Sequence, residues 1–193
     1  MRRVLIVSCL LAAGCAAQPD KVYTPRVAPA PAGSVASAVP SPTMETIEVG
    51  EKLTVQVEWP AAADPLLKTF TDYYVDSWRA VVSGDDTYLE QVEGPAAKES
   101  YDWVKGFGGK SSVTGTAKLY ALAVSARMGE GAQINACVDE TGLRLISKST
   151  GRAYTRQPSW TRETYLQAAI THRGDDGVWR VKDFRHSSEG CDR

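Results

Sequence analysis

The sequence predicts an α+β domain in which helices precede an antiparallel sheet. Large apolar residues recur at helical spacing before Gly84, several later runs have strand length, and glycine-containing turns separate those runs. The chain has 193 residues, and 43% of them are apolar, which is sufficient for one core with additional segments. We therefore expect a single domain over residues 44–193, preceded by segments of different composition.

Residues 1–14 are typical of a secretory signal peptide. Arg2 and Arg3 precede an apolar run of about ten residues, which is too short to span a bilayer. The run leads to Leu11-Ala12-Ala13-Gly14-Cys15. This junction resembles the lipobox of bacterial lipoproteins, and the resemblance implies cleavage before Cys15 and its acylation. Ordinary secretion after Gly14 or Ala17 is the alternative.

Residues 15–43 are predicted to be the acylated cysteine followed by a disordered tether. The stretch from 16 to 43 contains six of the ten prolines and one aromatic residue, so it has little to bury. Two acyl chains, such as palmitate, hold a protein stably on a bilayer. We therefore expect anchorage to the cell membrane through Cys15, with the domain on the extracytoplasmic face. The formal net charge of −1 gives no electrostatic footprint for nucleic acid.

The first half of the domain reads as one strand followed by three helices. Leu53 to Trp59 alternate apolar and polar residues, and Pro60 ends that strand. Asp64-Pro65 favours a helix start, and the helix then extends to Gly84. Its apolar stripe is Leu66, Phe70, Tyr73, Tyr74, Trp78, Val81 and Val82. The aromatic members either fill the core or line a ligand cavity.

Two shorter helices are expected next. One covers Asp86 to Val92 and is closed by Gly94, and the other starts at Pro95. The second would turn Ala97, Tyr101 and Val104 inward.

The second half reads as an antiparallel meander. The predicted strands are Val113 to Ala126, the run beginning at Gln133, Leu143 to Lys148, Ala153 to Arg156, Trp160 to Arg173, and Val178 to Arg185. In the run that begins at Gln133, Ile134, Ala136 and Val138 share one face and Cys137 lies on the other. In the longest late strand, Leu166, Ala168, Ile170 and His172 share one parity, which would turn His172 inward. Its proximity to the turn at 174–177 favours the edge of the sheet instead.

The order of these elements resembles the cone-shaped fold of the nuclear-transport-factor-2-like superfamily, whose curved sheet wraps the first helix. Within it the chain is similar to a group of short actinobacterial lipoproteins. The motifs that carry the resemblance are the lipobox at Cys15, Cys-Val-Asp at 137–139, Gly-Val-Trp-Arg-Val starting at Gly177, and the closing Cys191. The resemblance covers roughly residues 60–191. It implies a fold that hosts enzymes, carriers and inert modules alike.

The four cysteines are consistent with one disulfide. Cys9 would leave with the signal peptide and Cys15 would be acylated, so Cys137 and Cys191 remain in an oxidising compartment. Their bond would close a loop of about 54 residues and contribute about 4 kcal/mol. Two free thiols or an intermolecular bridge are the alternatives.

Candidate chemistry is confined to the interior of the expected cone. Enzymes of this fold commonly use an acidic residue or histidine facing a tyrosine. The available bases are Asp139, His172, Asp183 and His186, and the possible partners are Tyr73, Tyr74, Tyr101 and Tyr120. Three of these bases also have a structural explanation: Asp139 can open a turn, His172 can lie at the sheet edge, and Asp183 can form a surface ion pair. We name Phe70, Tyr74, Trp78, Asp139 and His172 as pocket-lining candidates.

The sequence itself predicts no catalytic residue, metal or cofactor. Two histidines and two cysteines without close spacing match no zinc pattern, and there is no nucleophile elbow or phosphate-binding glycine loop. The expected function is a non-catalytic cell-envelope module that binds another envelope protein or a lipidic ligand. The alternative is a small-molecule enzyme of the isomerase or dehydratase kind, with its pocket inside the cone.

Overall fold

The computed structural model describes residues 41–191. The expected signal peptide, acylated Cys15 and most of the tether lie outside these residues. The strands are β1 (Thr43–Gly50), β2 (Leu53–Trp59), β3 (Ser111–Met128), β4 (Gly131–Asp139), β5 (Leu143–Ser147), β6 (Tyr165–Arg173) and β7 (Trp179–Ser187), and the helices are α1 (Leu67–Ser83) and α2 (Gly94–Gly106). The α+β class is confirmed.

The seven strands form one mixed sheet, in the order β1-β2-β3-β4-β6-β7. β2 runs parallel to β3, and the other pairings are antiparallel. The antiparallel pairing expected among the later strands, β3 to β7, is therefore confirmed. The expectation of a wholly antiparallel sheet is wrong, because β2, which precedes the helices, pairs in parallel with β3. β1 was missed because most of its side chains are exposed and give a weak pattern.

β4 and β5 lie along the same edge of β3, one after the other. Lys118 of β3 faces Asp139 of β4, and Gly115 of β3 faces Leu143 of β5. The three residues between β4 and β5 interrupt this edge as a bulge. Two glycines make the interruption sterically possible: a Cβ at Gly115, which has φ of +111°, would clash with the Gly142 carbonyl, and a Cβ at Gly142 would clash with Thr116.

The core lies between α1, α2 and one face of the sheet, which we call the inner face. α1 packs on β1, β3 and β7, and α2 packs on β7. The fully buried large side chains include Trp78 and Phe70 of α1, Val55 and Val57 of β2, Leu119 of β3, Ile134 and Val138 of β4, and Val181 of β7. α1 is the long aromatic helix that the sequence predicts, and it ends at Gly84 in a left-handed conformation.

Several local predictions are wrong. Thr87–Gln91 is a 3₁₀ turn rather than a second α-helix. Ala153 makes only an isolated bridge to Ile146, so there is no strand from Ala153 to Arg156. β6 begins at Tyr165 instead of Trp160, after a 3₁₀ turn at Ser159–Thr161.

Two of the predicted inward-facing residues are exposed. Val82 of α1 and Tyr101 of α2 both lie at the surface. α2 buries Ala96, Ser100 and Val104. The inward position of Val104 is therefore confirmed, whereas Ala96 and Ser100 take the buried places that were predicted for Ala97 and Tyr101.

The opposite, outer face of the sheet carries the disulfide. Cys137 and Cys191 are bonded, with their Cα atoms 5.6 Å apart. They form a small buried cluster with Tyr120, against which Leu166 packs. The Tyr120 hydroxyl donates a hydrogen bond to the Cys191 carbonyl at 3.0 Å. The last residues of the described chain are thus held on the centre of the sheet.

Candidate functional site

A buried carboxylate lies in the bulge between β4 and β5. Glu140 is 3% exposed, although it is an acidic residue in a connecting segment. On β4 the even-numbered residues Ile134, Ala136 and Val138 face the inner side, and Glu140 continues that parity. Its side chain therefore enters the space beneath the helices.

Two tyrosine hydroxyls hold the carboxylate. Tyr74 of α1 donates to Oε1 at 2.7 Å, and Tyr165 of β6 donates to Oε2 at 3.1 Å. Each oxygen keeps a further lone pair, because a carboxylate has about four acceptor positions. The elements that deliver these groups are distant in sequence, and they meet because β6 pairs with β4 beneath α1.

Burial dominates the electrostatics of this group. Burial is the largest influence on the pKa of Glu140 and raises it. The hydrogen bonds from Tyr74 and Tyr165 and the nearby indole of Trp78 lower it, and the charge of Asp139 raises it, so that the net pKa is about 7. Burial and the charge of Glu140 raise the pKa of Tyr74 and Tyr165 well above the usual value. Both phenols therefore remain protonated donors at neutral pH.

The indole N–H of Trp78 is buried in the same region. Within residues 41–191 it has no hydrogen-bond partner of ordinary geometry. Its ring packs edge-on against Trp103, with centroids 4.9 Å apart. The Trp78 N–H is thus a third polar group close to the carboxylate, in addition to the two tyrosine hydroxyls that donate hydrogen bonds to it.

A cavity of about 110 Å³ opens beside the carboxylate. α1 contributes Tyr73, Tyr74 and Ser77, and β6 contributes Tyr165 and Gln167. From α2 come Glu99, Ser100 and Trp103, and from β7 come Phe184 and His186. Glu99 and His186 are exposed, so the cavity has a polar entrance and an aromatic interior.

A second hydroxyl pair stiffens the wall of the cavity. The Tyr73 hydroxyl lies 2.7 Å from Ser100 Oγ, which joins α1 to α2. The Tyr73 ring also contacts that of Phe184, with centroids 5.1 Å apart. These contacts fix the positions of the cavity-lining rings without using Glu140.

The candidates named from sequence are distributed differently. Tyr74 lines the cavity, whereas Phe70 and Trp78 are fully buried in the core beside it. Asp139 does not line the cavity: its Oδ1 accepts hydrogen bonds from the Thr141 amide at 3.0 Å and the Thr141 hydroxyl at 2.6 Å. Asp139 therefore opens the turn after β4, which is the structural alternative to a role as a base.

His172 is also outside the cavity. Its Nδ1 lies 3.4 Å from Glu93 Oε1, near the β6–β7 turn. This position agrees with the sheet-edge explanation of His172. The inward alternative fails because Cys137 on the outer face is paired with Leu166, so Leu166 cannot belong to the inner face. The buried positions of β6 are instead Gln167, Ala169 and Thr171 on the inner face, together with Ala168.

Sequence reasoning missed Glu140 because it stopped the strand pattern at Val138. Extending the same parity by two residues would have placed Glu140 on the inner face. Asp183 forms an ion pair with Arg185 at 2.5 Å, which agrees with the surface ion pair suggested for Asp183 from the sequence. Within residues 41–191, no cluster of His, Cys, Asp or Glu is suited to hold a metal ion.

The fold and the site together define an α+β domain that encloses a small, aromatic and acidic cavity. A scan against protein-family models and a search of curated proteins gave no match. Neither helix within residues 41–191 is long and apolar enough to cross a membrane.

Solved structures give distant likenesses. A candidate aromatic ring hydroxylase from Novosphingobium aromaticivorans is 18% identical, with a TM-score of 0.43 over 63% of this chain and 87% of its own. A ketosteroid isomerase-like protein from Erwinia carotovora atroseptica is 11% identical, with a TM-score of 0.40 over 64% and 96%. A candidate ketosteroid isomerase from Shewanella frigidimarina is 10% identical, with a TM-score of 0.30 over 62% and 94%. At these scores the likenesses carry no conclusion about activity.

Proposed function

We propose that this chain is a lipid-anchored, extracytoplasmic protein whose domain binds a small ligand in the cavity beside Glu140, without transforming it. We also propose that the domain is a nuclear-transport-factor-2-like cone, as the sequence resemblance implied. The long helix α1, packed on a large sheet with a cavity beneath it, supports that assignment. The observation that carries the binding function is the buried carboxylate of Glu140.

A buried carboxylate with a raised pKa destabilises the fold that contains it. Removing a charge from water is unfavourable unless the charge is paired and hydrogen-bonded. The two tyrosine hydrogen bonds offset only part of this penalty, because the pKa of Glu140 remains raised despite them. An apolar residue or glutamine at this position would avoid the penalty, and perturbed acids in clefts are characteristic of functional sites.

The size of the cavity restricts the ligand. An engineered apolar cavity of about 150 Å³ accommodates benzene, so a cavity of about 110 Å³ suits a molecule or chemical group no larger than that. This volume favours a compact polar ligand over a lipid with its acyl chains inside the domain. An envelope protein would have to reach the site by inserting a single side chain.

Native mass spectrometry of the full-length protein, released from its own host's membranes in mild detergent, tests the binding function. We expect a retained small molecule in the wild-type protein and its loss from a Glu140→Gln variant. The matched control is Asp139→Asn, which changes the adjacent acid on the outer face and should leave the ligand in place. A ligand retained equally by Glu140→Gln would contradict the proposed site.

The anchor is tested separately by metabolic labelling with palmitate. Cys15→Ser should abolish both the label and the membrane association, because a single residue carries the acyl chains. Cys9→Ser is the matched control, and it should remain labelled since Cys9 belongs to the removed signal. Label that persists in Cys15→Ser would show that the anchor lies elsewhere.

A second candidate function is general acid–base catalysis by Glu140. A pKa of about 7 is suited to proton transfer near neutral pH, and Tyr74 and Tyr165 supply donors that could stabilise a developing negative charge. Incubation of the protein with its recovered ligand in deuterated water separates the two functions. A binding module returns the ligand without deuterium at carbon, whereas an isomerase-like enzyme exchanges it or converts the ligand.

A further inference from the structure

The Glu140 carboxylate has no cationic partner in the described part of the chain. Within residues 41–191, no Lys, Arg or His nitrogen lies within 4.0 Å of it. Its only hydrogen-bond donors of ordinary geometry are the neutral hydroxyls of Tyr74 and Tyr165. The ionised form of Glu140 is therefore a buried negative charge without compensation, which is rare in proteins.

The rest of the cavity wall also favours positive charge. The second charged group is Glu99, another carboxylate, at the entrance. Among the described residues, 41–191, no lysine or arginine lines the cavity, and His186, exposed at the rim, is the one basic residue that does. A ligand anion would therefore meet two carboxylates and no permanent cation.

Aromatic rings form most of the remaining surface. Tyr73, Tyr74, Tyr165, Trp103 and Phe184 all line the cavity. The face of an aromatic ring carries negative potential, and it attracts cations within about 6 Å of its centroid. In a cavity of about 110 Å³, any bound group lies that close to several of these rings.

Resting on the proposed ligand-binding function, we propose that the ligand carries a small organic cation, an alkylammonium or quaternary ammonium group, held between the Glu140 carboxylate and the surrounding aromatic rings. The cation compensates the buried charge, and the rings replace its hydration shell. Glu99 attracts the cation to the entrance. The two tyrosines keep the carboxylate in place through its other lone pairs, so the ligand does not have to displace them.

The occupied site also predicts a dependence on pH. A bound cation favours the ionised form of Glu140, so cation affinity should rise from pH 5 to pH 8. The other titratable groups facing the site are Glu99, His186, Tyr73, Tyr74 and Tyr165, with Asp139 close behind Glu140. His186 is the basic residue at the rim, so a His186→Asn variant separates its contribution from that of Glu140.

Isothermal titration of the full-length protein in detergent provides the test. The probes are tetramethylammonium, the neutral tert-butanol of similar shape, and acetate, all at one ionic strength set with sodium chloride. We expect tetramethylammonium to bind at least tenfold more tightly than tert-butanol at pH 8, and acetate to bind most weakly. The rise in cation affinity with pH should persist in His186→Asn.

Variants locate the effect. Glu140→Gln keeps the shape of the side chain and should remove the preference for the cation while leaving tert-butanol unchanged. Glu99→Gln, at the exposed entrance, should reduce cation affinity only a few-fold. Near-ultraviolet circular dichroism verifies that each variant is folded, and if Glu140→Gln is not, Tyr165→Phe replaces it and should weaken cation binding several-fold.

The outcomes distinguish this inference from the function on which it rests. Equal or tighter binding of tert-butanol or acetate would overturn the cationic ligand and leave a ligand-binding cavity. Cation binding that Glu140→Gln does not affect would overturn the role of the carboxylate. Binding of none of the three probes, together with no retained molecule in native mass spectrometry, would overturn both.

Discussion

The two faces of β4 carry buried groups of opposite character. On the outer face, Cys137 is joined to Cys191 and covered by Tyr120 and Leu166, so each buried group has a partner. On the inner side, three residues further along, Glu140 is buried, and no cationic side chain of the described part of the chain forms an ion pair with it. The first arrangement stabilises the fold, and the second reduces its stability. A buried carboxylate that reduces stability needs an explanation other than stability, and the explanation proposed for Glu140 is ligand binding.

The disulfide should produce the largest change in stability and the smallest change at the cavity. It closes a loop with a sequence separation of 54, so the chain-entropy model gives a loss of about 4 kcal/mol on reduction. We expect a large fall in the urea midpoint on adding reductant, with unchanged tetramethylammonium affinity under conditions where the reduced protein stays folded. The Cys137→Ala/Cys191→Ala double variant is the control, since reductant should not affect it. A cavity that loses its ligand while the reduced protein is still folded would contradict the independence of the two faces.

Glu140 should make stability depend on pH in the opposite direction to most acids. Its pKa is 4.5 in the unfolded chain and about 7 in the folded one, so the folded state binds the proton more strongly between these values. The contribution of Glu140 to the free energy of unfolding is therefore fully present below about pH 4.5. It falls as the pH rises from about 4.5 to about 7, and it is constant above that range. The total change corresponds to about 3 kcal/mol.

The Glu140→Gln variant tests that dependence directly. We expect it to unfold like the wild type at pH 5 and to be more stable than the wild type by about 3 kcal/mol at pH 8, measured by urea denaturation without ligand. Glu99→Gln, with its exposed side chain, should keep the wild-type profile. A wild-type protein that is more stable at pH 8 than at pH 5, with Glu140→Gln unchanged, would show that the carboxylate is compensated.

The two tyrosines should differ from each other and from Tyr73. Tyr74→Phe removes the shorter hydrogen bond to Glu140 and should cost about 2 kcal/mol at pH 8, where the acceptor is charged, and less at pH 5. Tyr165→Phe removes the 3.1 Å bond and should cost less. Tyr73→Phe is the matched control, because its hydroxyl bonds to Ser100 and its effect should be equal at both pH values. Equal losses at both pH values for Tyr74→Phe would contradict the charged acceptor.

The predictable parts of this molecule are those with local signals. The helix from Leu67 to Ser83 and the strand from Leu53 to Trp59 follow from side-chain periodicity and from the flanking proline and glycine residues. The parity of β4 follows from Ile134, Ala136 and Val138. Nothing in the local sequence indicates that β2 pairs in parallel with β3, because this pairing joins two strands that are far apart in the chain.

The site was only half predictable for the same reason. Tyr74 was named from the aromatic stripe of α1, and a buried base facing a tyrosine was anticipated. The bases considered were Asp139, His172, Asp183 and His186, and Glu140 was not among them. Glu140 lies in a bulge whose position is set by the glycines at 115 and 142, which meet only after β3 and β5 pair. The identity of the acid was therefore determined by tertiary structure, although parity pointed to it.

The smallest expected effect concerns His172, for which the sequence left open a place inside the cone or at the sheet edge. Its 3.4 Å contact with Glu93 involves side chains that are 42% and 34% exposed, and such pairs contribute less than about 1 kcal/mol. We expect His172→Asn to shift the urea midpoint only slightly and to leave tetramethylammonium affinity within twofold of wild type. Glu93→Gln should have the same small effect on stability, and combining the two variants should add nothing further if the pair is their shared interaction. A tenfold loss of tetramethylammonium affinity in His172→Asn alone would instead show that the ligand site extends along the inner face to the end of β6.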